Sequence, residues 1–201
     1  MTGTEYIRKL EKESPPAVSF FCGEEEYWIK TCLSALRRRL FPGMEAGFDQ
    51  EDLEAGMASV ETLANLLRTP PFFNSARLVI LRRIEALDAA CDPLFLTALA
   101  SPFPSVFLAV TAEKVDRRRK IFQELTKKAT VVEAQPLKAY EARRWVMEEA
   151  GRLGLRISSE IAGLLVEYRG TSLTALRNEL EKAALYAGEE RSGLTRGEGL
   201  V

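Results

Sequence analysis

The turn after the first apolar run of the chain is where a nucleotide phosphate would bind. A phosphate-binding loop has the pattern G-x-x-x-x-G-K-[ST], because clustered backbone N–H groups and a lysine must surround the β- and γ-phosphates. Here the turn reads Cys22-Gly23-Glu24-Glu25-Glu26-Tyr27 and lacks both the second glycine and the Lys-Ser/Thr pair. Its carboxylates would repel a triphosphate. The sequence therefore predicts a degenerate phosphate-loop position at Gly23, Glu24 and Glu25.

The residues that would activate water beside such a loop are also missing. An Asp-Glu pair is expected where the apolar run 78–81 ends, and Arg82 and Arg83 stand there instead. The 201 residues include no histidine, which excludes Ser-His-Asp and Cys-His pairs and the commonest general base at neutral pH. We therefore predict no catalytic residue, no metal site and no cofactor.

The segment Pro70-Pro71-Phe72-Phe73 could bind a partner protein. Adjacent side chains point about 100° apart on a helix and to opposite faces on a strand, so we expect at least one of the two phenylalanines to be exposed. Burying a Phe side chain is worth roughly 1.5–3 kcal/mol, so an exposed pair held by two prolines would anchor a partner's apolar pocket. On the segment alone, packing of both rings under a loop stays an equal alternative.

The run Arg117, Arg118, Arg119 and Lys120 is the strongest basic cluster. The formal net charge is only -1 and the sequence pI is about 5.8, so this cluster is a local patch on a balanced surface. No aromatic residues are interleaved with it, as base stacking would require. A solvated helix face is the simpler interpretation, and weak contact with a DNA backbone inside a larger assembly is the alternative.

The elements that position these residues follow from hydrophobic periodicity. Short unbroken apolar runs predict strands, and each is followed by residues with helical spacing. Unbroken apolar strands that alternate with helices are typical of a mostly parallel sheet with helices on both faces, hence an α/β fold. The predicted strands are 17–21, 78–81, 106–110 and 130–132. The predicted helices among them lie near 6–10, 24–40, 60–67, 93–99 and 118–128.

A change of pattern after Pro136 predicts a second domain. Three consecutive helical stripes follow, with no further strand signal. We expect an α/β domain over 1–137 and a small three-helix domain over 138–201. Three cysteines without a C-x-x-C pair, and the lack of a signal peptide or an apolar span, favour a cytoplasmic protein without a membrane partner.

Five segments, in this order, resemble the delta subunit of bacterial DNA polymerase III. They are Phe21–Ile29, Phe48-Asp49, Thr69–Phe73 followed by Arg77–Leu81, Lys114–Arg118, and Asn178–Lys182. The resemblance implies an AAA+-like domain with a dead nucleotide site, followed by a helical lid. It also implies a non-catalytic subunit that binds and opens the ring-shaped β sliding clamp while sibling subunits hydrolyse ATP.

The resemblance further assigns partners and a contact element. Clamp contact is expected at Phe72 and Phe73, presented by Pro70 and Pro71. The gamma/tau and delta prime subunits of the loader, and primed DNA within the assembly, are the other expected partners. Full-length relatives carry a third, helical collar domain, and we expect this chain to be a fragment without it.

Three other functions stay open at this point. An ATPase-dead sibling of the stator type would share the fold, and the Phe72-Phe73 pair favours delta over it. An active P-loop NTPase is disfavoured by Gly23 through Glu26. A DNA-binding module that uses residues 117–120 predicts duplex binding with a steep salt dependence.

Overall fold

The chain forms two compact units, Met1–Gln135 and Pro136–Val201. The structure, a computed structural model, describes residues 1–43 and 46–194, and side chains as far as residue 188. The first unit contains α1 Gly3–Lys12, β1 Val18–Cys22, α2 Glu26–Leu40, β2 Gln50–Glu54, α3 Val60–Arg68, β3 Arg77–Arg82, α4 Asp92–Ala100, β4 Val106–Ala112, α5 Lys120–Lys128 and β5 Thr130–Glu133. The second contains α6 Ala139–Arg152, α7 Ser159–Arg169 and α8 Leu173–Leu194.

The first unit is built on a five-stranded sheet in the order β2-β3-β4-β1-β5. Every pair of neighbouring strands is parallel. All the strands therefore begin at one edge of the sheet, here called the amino edge, and end at the other, the carboxyl edge. The predicted parallel α/β fold is confirmed.

Each face of the sheet is covered by helices. Successive side chains of a strand point to opposite faces, so Phe20 packs with α3, α4 and α5 on one side while Phe21 packs with α1 and α2 on the other. In β3, Val79 and Leu81 face the first side, and Leu78 and Ile80 the second. Burial on both faces explains why these strands appear in the sequence as unbroken apolar runs.

Strand β2 was not expected from the sequence. Its residues, Gln50-Glu51-Asp52-Leu53-Glu54, include a single apolar side chain. Strand β2 is an outermost strand of the sheet, paired on one side only. Charged side chains are common in such strands because they discourage pairing with another chain. Arg82 of β3 donates two hydrogen bonds to Asp52, at 2.6 and 2.7 Å, so a polar pair adds to the core contact of Leu53 in stabilising this strand.

The second unit contains the three helices predicted after Pro136. Among the described residues, its buried apolar side chains come from all three helices, and they are Ala142, Trp145, Val146, Ala150, Ala162, Val166, Leu173, Leu176 and Leu180. Ser158 caps α7, since its hydroxyl accepts a bond from the Ile161 N–H at 3.2 Å. The chain turns between α7 and α8 at Gly170, whose φ of 72° suits glycine.

Candidate partner-binding surface

Phe72 and Phe73 lie at the amino edge of the sheet, in the turn just before β3. Both rings are exposed, 77% and 68% of their area respectively, and their centroids lie 5.1 Å apart at an interplanar angle of 60°. The expectation that at least one ring would be exposed is confirmed for both. The alternative, that both pack under a loop, is wrong.

A third phenylalanine joins this pair from a distant part of the sequence. Phe48 lies in a short 3-10 turn, Gly47–Asp49, directly before β2. Its ring is 77% exposed, and its centroid lies 6.2 Å from that of Phe73. Strands β2 and β3 are neighbours, so the two turns that precede them meet at the amino edge. We call the rings of Phe48, Phe72 and Phe73 the aromatic surface.

The buried carboxylate of Asp49 holds the second turn in place. Its oxygens accept hydrogen bonds from the backbone N–H groups of Phe72, Phe73 (2.9 Å) and Asn74 (2.7 Å), and from the Asn74 side-chain amide (2.9 Å). Burial raises the pKa of this carboxyl, but the donated bonds outweigh burial and hold the pKa at about 2. Asp49 is therefore a charged anchor for the backbone beneath the two rings.

Arg77 fixes the turn that carries Phe48. Its guanidinium donates to the Phe48 carbonyl at 3.2 Å and pairs with Glu51 at 3.4 Å. The Arg77 side chain is almost fully buried, so its position is well defined. Asp49 and Arg77 thus connect the turns that precede β2 and β3.

Pro70 and Pro71 separate α3 from the aromatic surface. Helix α3 ends at Arg68, and Thr69 already has extended geometry, as expected for a residue before proline. Both prolines have trans peptide bonds, and their rings fix φ. This arrangement limits how far the chain between Thr69 and Phe72 can move.

The sequence did not assign Phe48 or Asp49 to this site. The Phe-Asp pair is visible as a motif, but its position depends on β2, which the apolar pattern does not predict. With that strand placed beside β3, the pair would have been assigned to the same edge as Phe72.

The position predicted to be a degenerate phosphate loop, at Gly23 to Glu25, lies at the carboxyl edge of the sheet. A cleft of about 440 Å³ is lined there by Gly23, Glu24, Glu26, Ile29, Lys30, Glu54, Arg82, Arg83, Thr111, Ala112 and Glu113. Four carboxylates and three basic groups face it, so the cleft has mixed charge. It is at the opposite end of the strands from the aromatic surface.

Backbone N–H groups of this turn already bond to protein acceptors. The Gly23 N–H donates to the Ala112 carbonyl at 2.9 Å, and the Glu25 N–H to the Ala134 carbonyl at 2.8 Å. Glu25 is itself buried and caps α2, because its carboxylate accepts from the Tyr27 N–H at 3.2 Å. A phosphate would have to displace these bonds, and it would meet the exposed carboxylate of Glu24.

The basic cluster divides into two kinds of side chain. Arg117, Arg118 and Lys120 are exposed. Arg119 instead binds within the protein: it pairs with Asp92 at 2.5 Å and donates to the carbonyls of Leu87 (2.6 Å) and Glu85 (3.3 Å). Arg119 therefore stabilises the fold, and its guanidinium is already occupied.

Arg119→Ala is expected to lower the free energy of unfolding by about 2 kcal/mol, because it breaks a half-buried ion pair and leaves two carbonyls unpaired. Arg118→Ala is the matched control, since Arg118 is exposed, and its effect should stay within about 0.5 kcal/mol. Urea unfolding measures both. Equal effects of the two substitutions would contradict this role for Arg119.

Among the described residues, no group of three or more Cys, Asp or Glu side chains could hold a metal ion. Cys22, Cys32 and Cys91 are free thiols. Within the same part of the chain, none of the helices has the length and apolar character needed to cross a bilayer.

Two comparisons with known proteins agree on one family. A family model described as DNA polymerase III, delta subunit, matches residues 20–135. The chain is 24% identical over 208 residues to DNA polymerase III subunit delta of Bacillus subtilis (strain 168), covering 90% of this chain and 55% of that protein. It thus spans about half the length of this relative.

Solved structures show the same fold. The Bacillus subtilis DNA clamp loader delta protein matches with a TM-score of 0.74 at 22% identity, over 93% of this chain and 58% of that one. The Thermotoga maritima RuvB Holliday junction branch migration motor gives 0.54 at 11% identity, over 89% and 58%. A DNA polymerase III gamma subunit-related protein from Thermotoga maritima gives 0.52 at 19%, over 98% and 62%.

Proposed function

The chain belongs to the family of the DNA polymerase III delta subunit, and from this premise we propose that it binds the β sliding clamp and opens it for loading onto primed DNA. The observation that carries the proposal is the exposed Phe72-Phe73 pair on a turn held by Asp49. Aromatic side chains on a fixed backbone are typical anchors of protein interfaces, because little conformational freedom is lost on binding.

The proposed mechanism uses binding energy to open a ring. Phe72 and Phe73 enter an apolar pocket of the clamp, while Pro70 and Pro71 keep the pair in the required position. Contact by the neighbouring surface then distorts one interface of the ring, and the interface opens. No bond is made or broken by this chain in such a step.

The proposed subunit is non-catalytic. The bonded N–H groups of Gly23 and Glu25, and the arginines at 82 and 83 where an acidic pair would be needed, support this part of the proposal. ATP hydrolysis would then belong to sibling subunits of the gamma/tau type. The mixed charge of the carboxyl-edge cleft also disfavours the alternative of an active P-loop NTPase.

The remaining partners are proposed from the family. We assign clamp binding to the α/β domain, 1–137, and a lid role to the helical domain, 138–201. The gamma/tau and delta prime subunits would be its neighbours in the loader. Arg117, Arg118 and Lys120 remain the candidates for weak contact with the backbone of primed DNA, and Arg119 is not among them because its guanidinium is bound within the protein.

Phe72→Ala/Phe73→Ala should weaken binding of the β clamp from the same cell at least about 100-fold, since two central aromatic anchors are lost. Isothermal titration calorimetry or surface plasmon resonance measures the change. Both rings are exposed, so the urea unfolding midpoint should not move.

Tyr168→Ala is the matched control for this double substitution. Tyr168 is an aromatic residue of α7 that is 83% exposed, and its removal should leave clamp affinity within about twofold. If the double variant bound the clamp as tightly as the parent, the proposed function would be wrong.

A further inference from the structure

We propose that Phe48 is a third anchor of the clamp-binding surface and enters the apolar site of the clamp beside Phe73. This inference rests on the proposed function, because it assigns a further residue to the same interface. The partner chemistry is an apolar pocket wide enough to cover three adjoining rings.

The position of the Phe48 ring is the first argument. It is as exposed as Phe72, and its centroid is 6.2 Å from that of Phe73, close enough for direct ring contact. Together the three rings present on the order of 400 Å² of apolar surface. Contiguous apolar patches of this size on soluble proteins often mark interaction sites. A partner that covers Phe73 would meet Phe48 at its side.

The backbone of Phe48 is fixed from two directions, which is the second argument. The next residue, Asp49, bonds to the N–H groups of residues 72–74 through its side chain, and the Phe48 carbonyl accepts from Arg77. Phe48 and Phe73 are therefore parts of one preorganised unit, although 25 positions separate them in the sequence. Preorganisation lowers the entropic cost of binding, which favours a role in recognition.

The core of the first unit does not explain this phenylalanine. Phe48 belongs to neither of the two groups of buried side chains that cover the faces of the sheet. Its ring contact within the described residues is to Phe73, which is itself exposed. A large apolar side chain at 77% exposure gains little for folding, so stability does not account for its presence.

A double-mutant cycle with the β clamp tests the inference. The proteins are the parent chain, Phe48→Ala, Phe73→Ala and the double variant, with affinities from surface plasmon resonance and Phe72→Ala/Phe73→Ala measured alongside. We expect Phe48→Ala to weaken clamp binding about tenfold. Because the rings of Phe48 and Phe73 touch, the loss of affinity in the double variant should be smaller than the product of the losses in the two single variants. Met57→Ala is the matched control: Met57 is 78% exposed just beyond the other end of β2, and its removal should change affinity less than twofold.

The outcomes separate this inference from the proposed function. If Phe48→Ala binds the clamp within twofold of the parent affinity while Phe72→Ala/Phe73→Ala loses most of its affinity, the role of Phe48 is overturned and the proposed function stands. If Phe72→Ala/Phe73→Ala binds the clamp with the parent affinity, the proposed function and the role of Phe48 are both overturned. Sedimentation of the parent without clamp completes the test: a dimer that Phe48→Ala dissociates would assign the patch to self-association and overturn the inference.

Discussion

Asp49→Ala is expected to lower the free energy of unfolding of the first unit by about 3 kcal/mol and to weaken clamp binding about tenfold. The substitution removes four hydrogen bonds to a charged group and leaves three consecutive backbone N–H groups near the sheet without their acceptor. Affinity falls because the turn under Phe72 and Phe73 loses its fixed shape, so binding must then order it.

Unfolding of the first unit can be followed separately from that of the second. The chain has two tryptophans, Trp28 in α2 and Trp145 in α6. Fluorescence of Trp28 in a Trp145→Phe background therefore reports on the first unit in urea. Asp116→Ala is the matched control, since this exposed carboxylate accepts one bond from the Arg118 N–H, and its loss should cost less than about 1 kcal/mol.

The effect of Asp49→Ala should also depend on pH. The pKa of Asp49 is about 2 in the folded chain, below its ordinary value of 3.8, so ionisation of this carboxyl favours folding. That contribution is fully present above about pH 4 and is lost as the pH falls from about 4 towards 2. The difference in the free energy of unfolding between the parent and Asp49→Ala should therefore become smaller as the pH falls from about 4 towards 2.

The contributions of other carboxyl groups to the pH dependence of stability are the same in the parent and in Asp49→Ala, so they cancel in the difference. The pKa values of Glu5, Glu26 and Glu124 are also lowered, by the Thr2 backbone N–H, by Lys30 and by Lys127 respectively, and both proteins contain them. Urea midpoints between pH 7 and pH 3 give the difference directly. If the difference in the free energy of unfolding stayed constant down to pH 3, the stabilisation by the hydrogen bonds of Asp49 would not depend on its charge.

The strands and helices that build the core could be predicted from the sequence, and the strand that builds the binding surface could not. Residues such as Phe20 and Phe21 form an unbroken apolar run because both faces of their strand are buried, which local sequence can reveal. Strand β2 is held by ion pairs such as Arg82 with Asp52, whose partners are 30 positions apart. No local pattern contains that information, so Phe48 and Asp49 could not be placed.

The basic cluster shows the same limit at the level of a single side chain. Arg117 through Lys120 look equivalent in the sequence. Only the fold shows that Arg119 meets Asp92 and the carbonyls of residues 85 and 87, because these acceptors come from a segment about 30 residues earlier in the chain.

Gly23 was predicted as part of a degenerate phosphate loop, and its geometry supplies a different reason for glycine at this position. Its φ is 137°, which side chains rarely adopt, and a Cβ built there would lie 2.2 Å from the Ala134 carbonyl oxygen. The obstacle is backbone, so no rotamer change can relieve it. The glycine lets the end of β1 approach the segment after β5, with no ligand involved.

Gly23→Ala is therefore expected to destabilise the first unit by about 4 kcal/mol, measured in the absence of any nucleotide. To admit the methyl group, the backbone at Ala134 must move away from β1. That movement weakens the bond from the Ala134 N–H to the Cys22 carbonyl (2.8 Å) and the bond from the Glu25 N–H to the Ala134 carbonyl (2.8 Å). With Trp28 as the reporter, the urea midpoint should fall steeply, and the melting temperature by roughly 10 °C.

Gly151→Ala is the matched control for this substitution. Gly151 lies within α6, and a Cβ added there meets no atom within 4 Å. Alanine favours the helix by up to about 1 kcal/mol over glycine, so the second unit, followed by the fluorescence of Trp145 in a Trp28→Phe background, should be unchanged or slightly stabilised. If Gly23→Ala unfolded at the same urea concentration as the parent, the close approach at Ala134 would not be what requires glycine. A cost that appeared only as lost ATP binding would favour the alternative of an active P-loop NTPase.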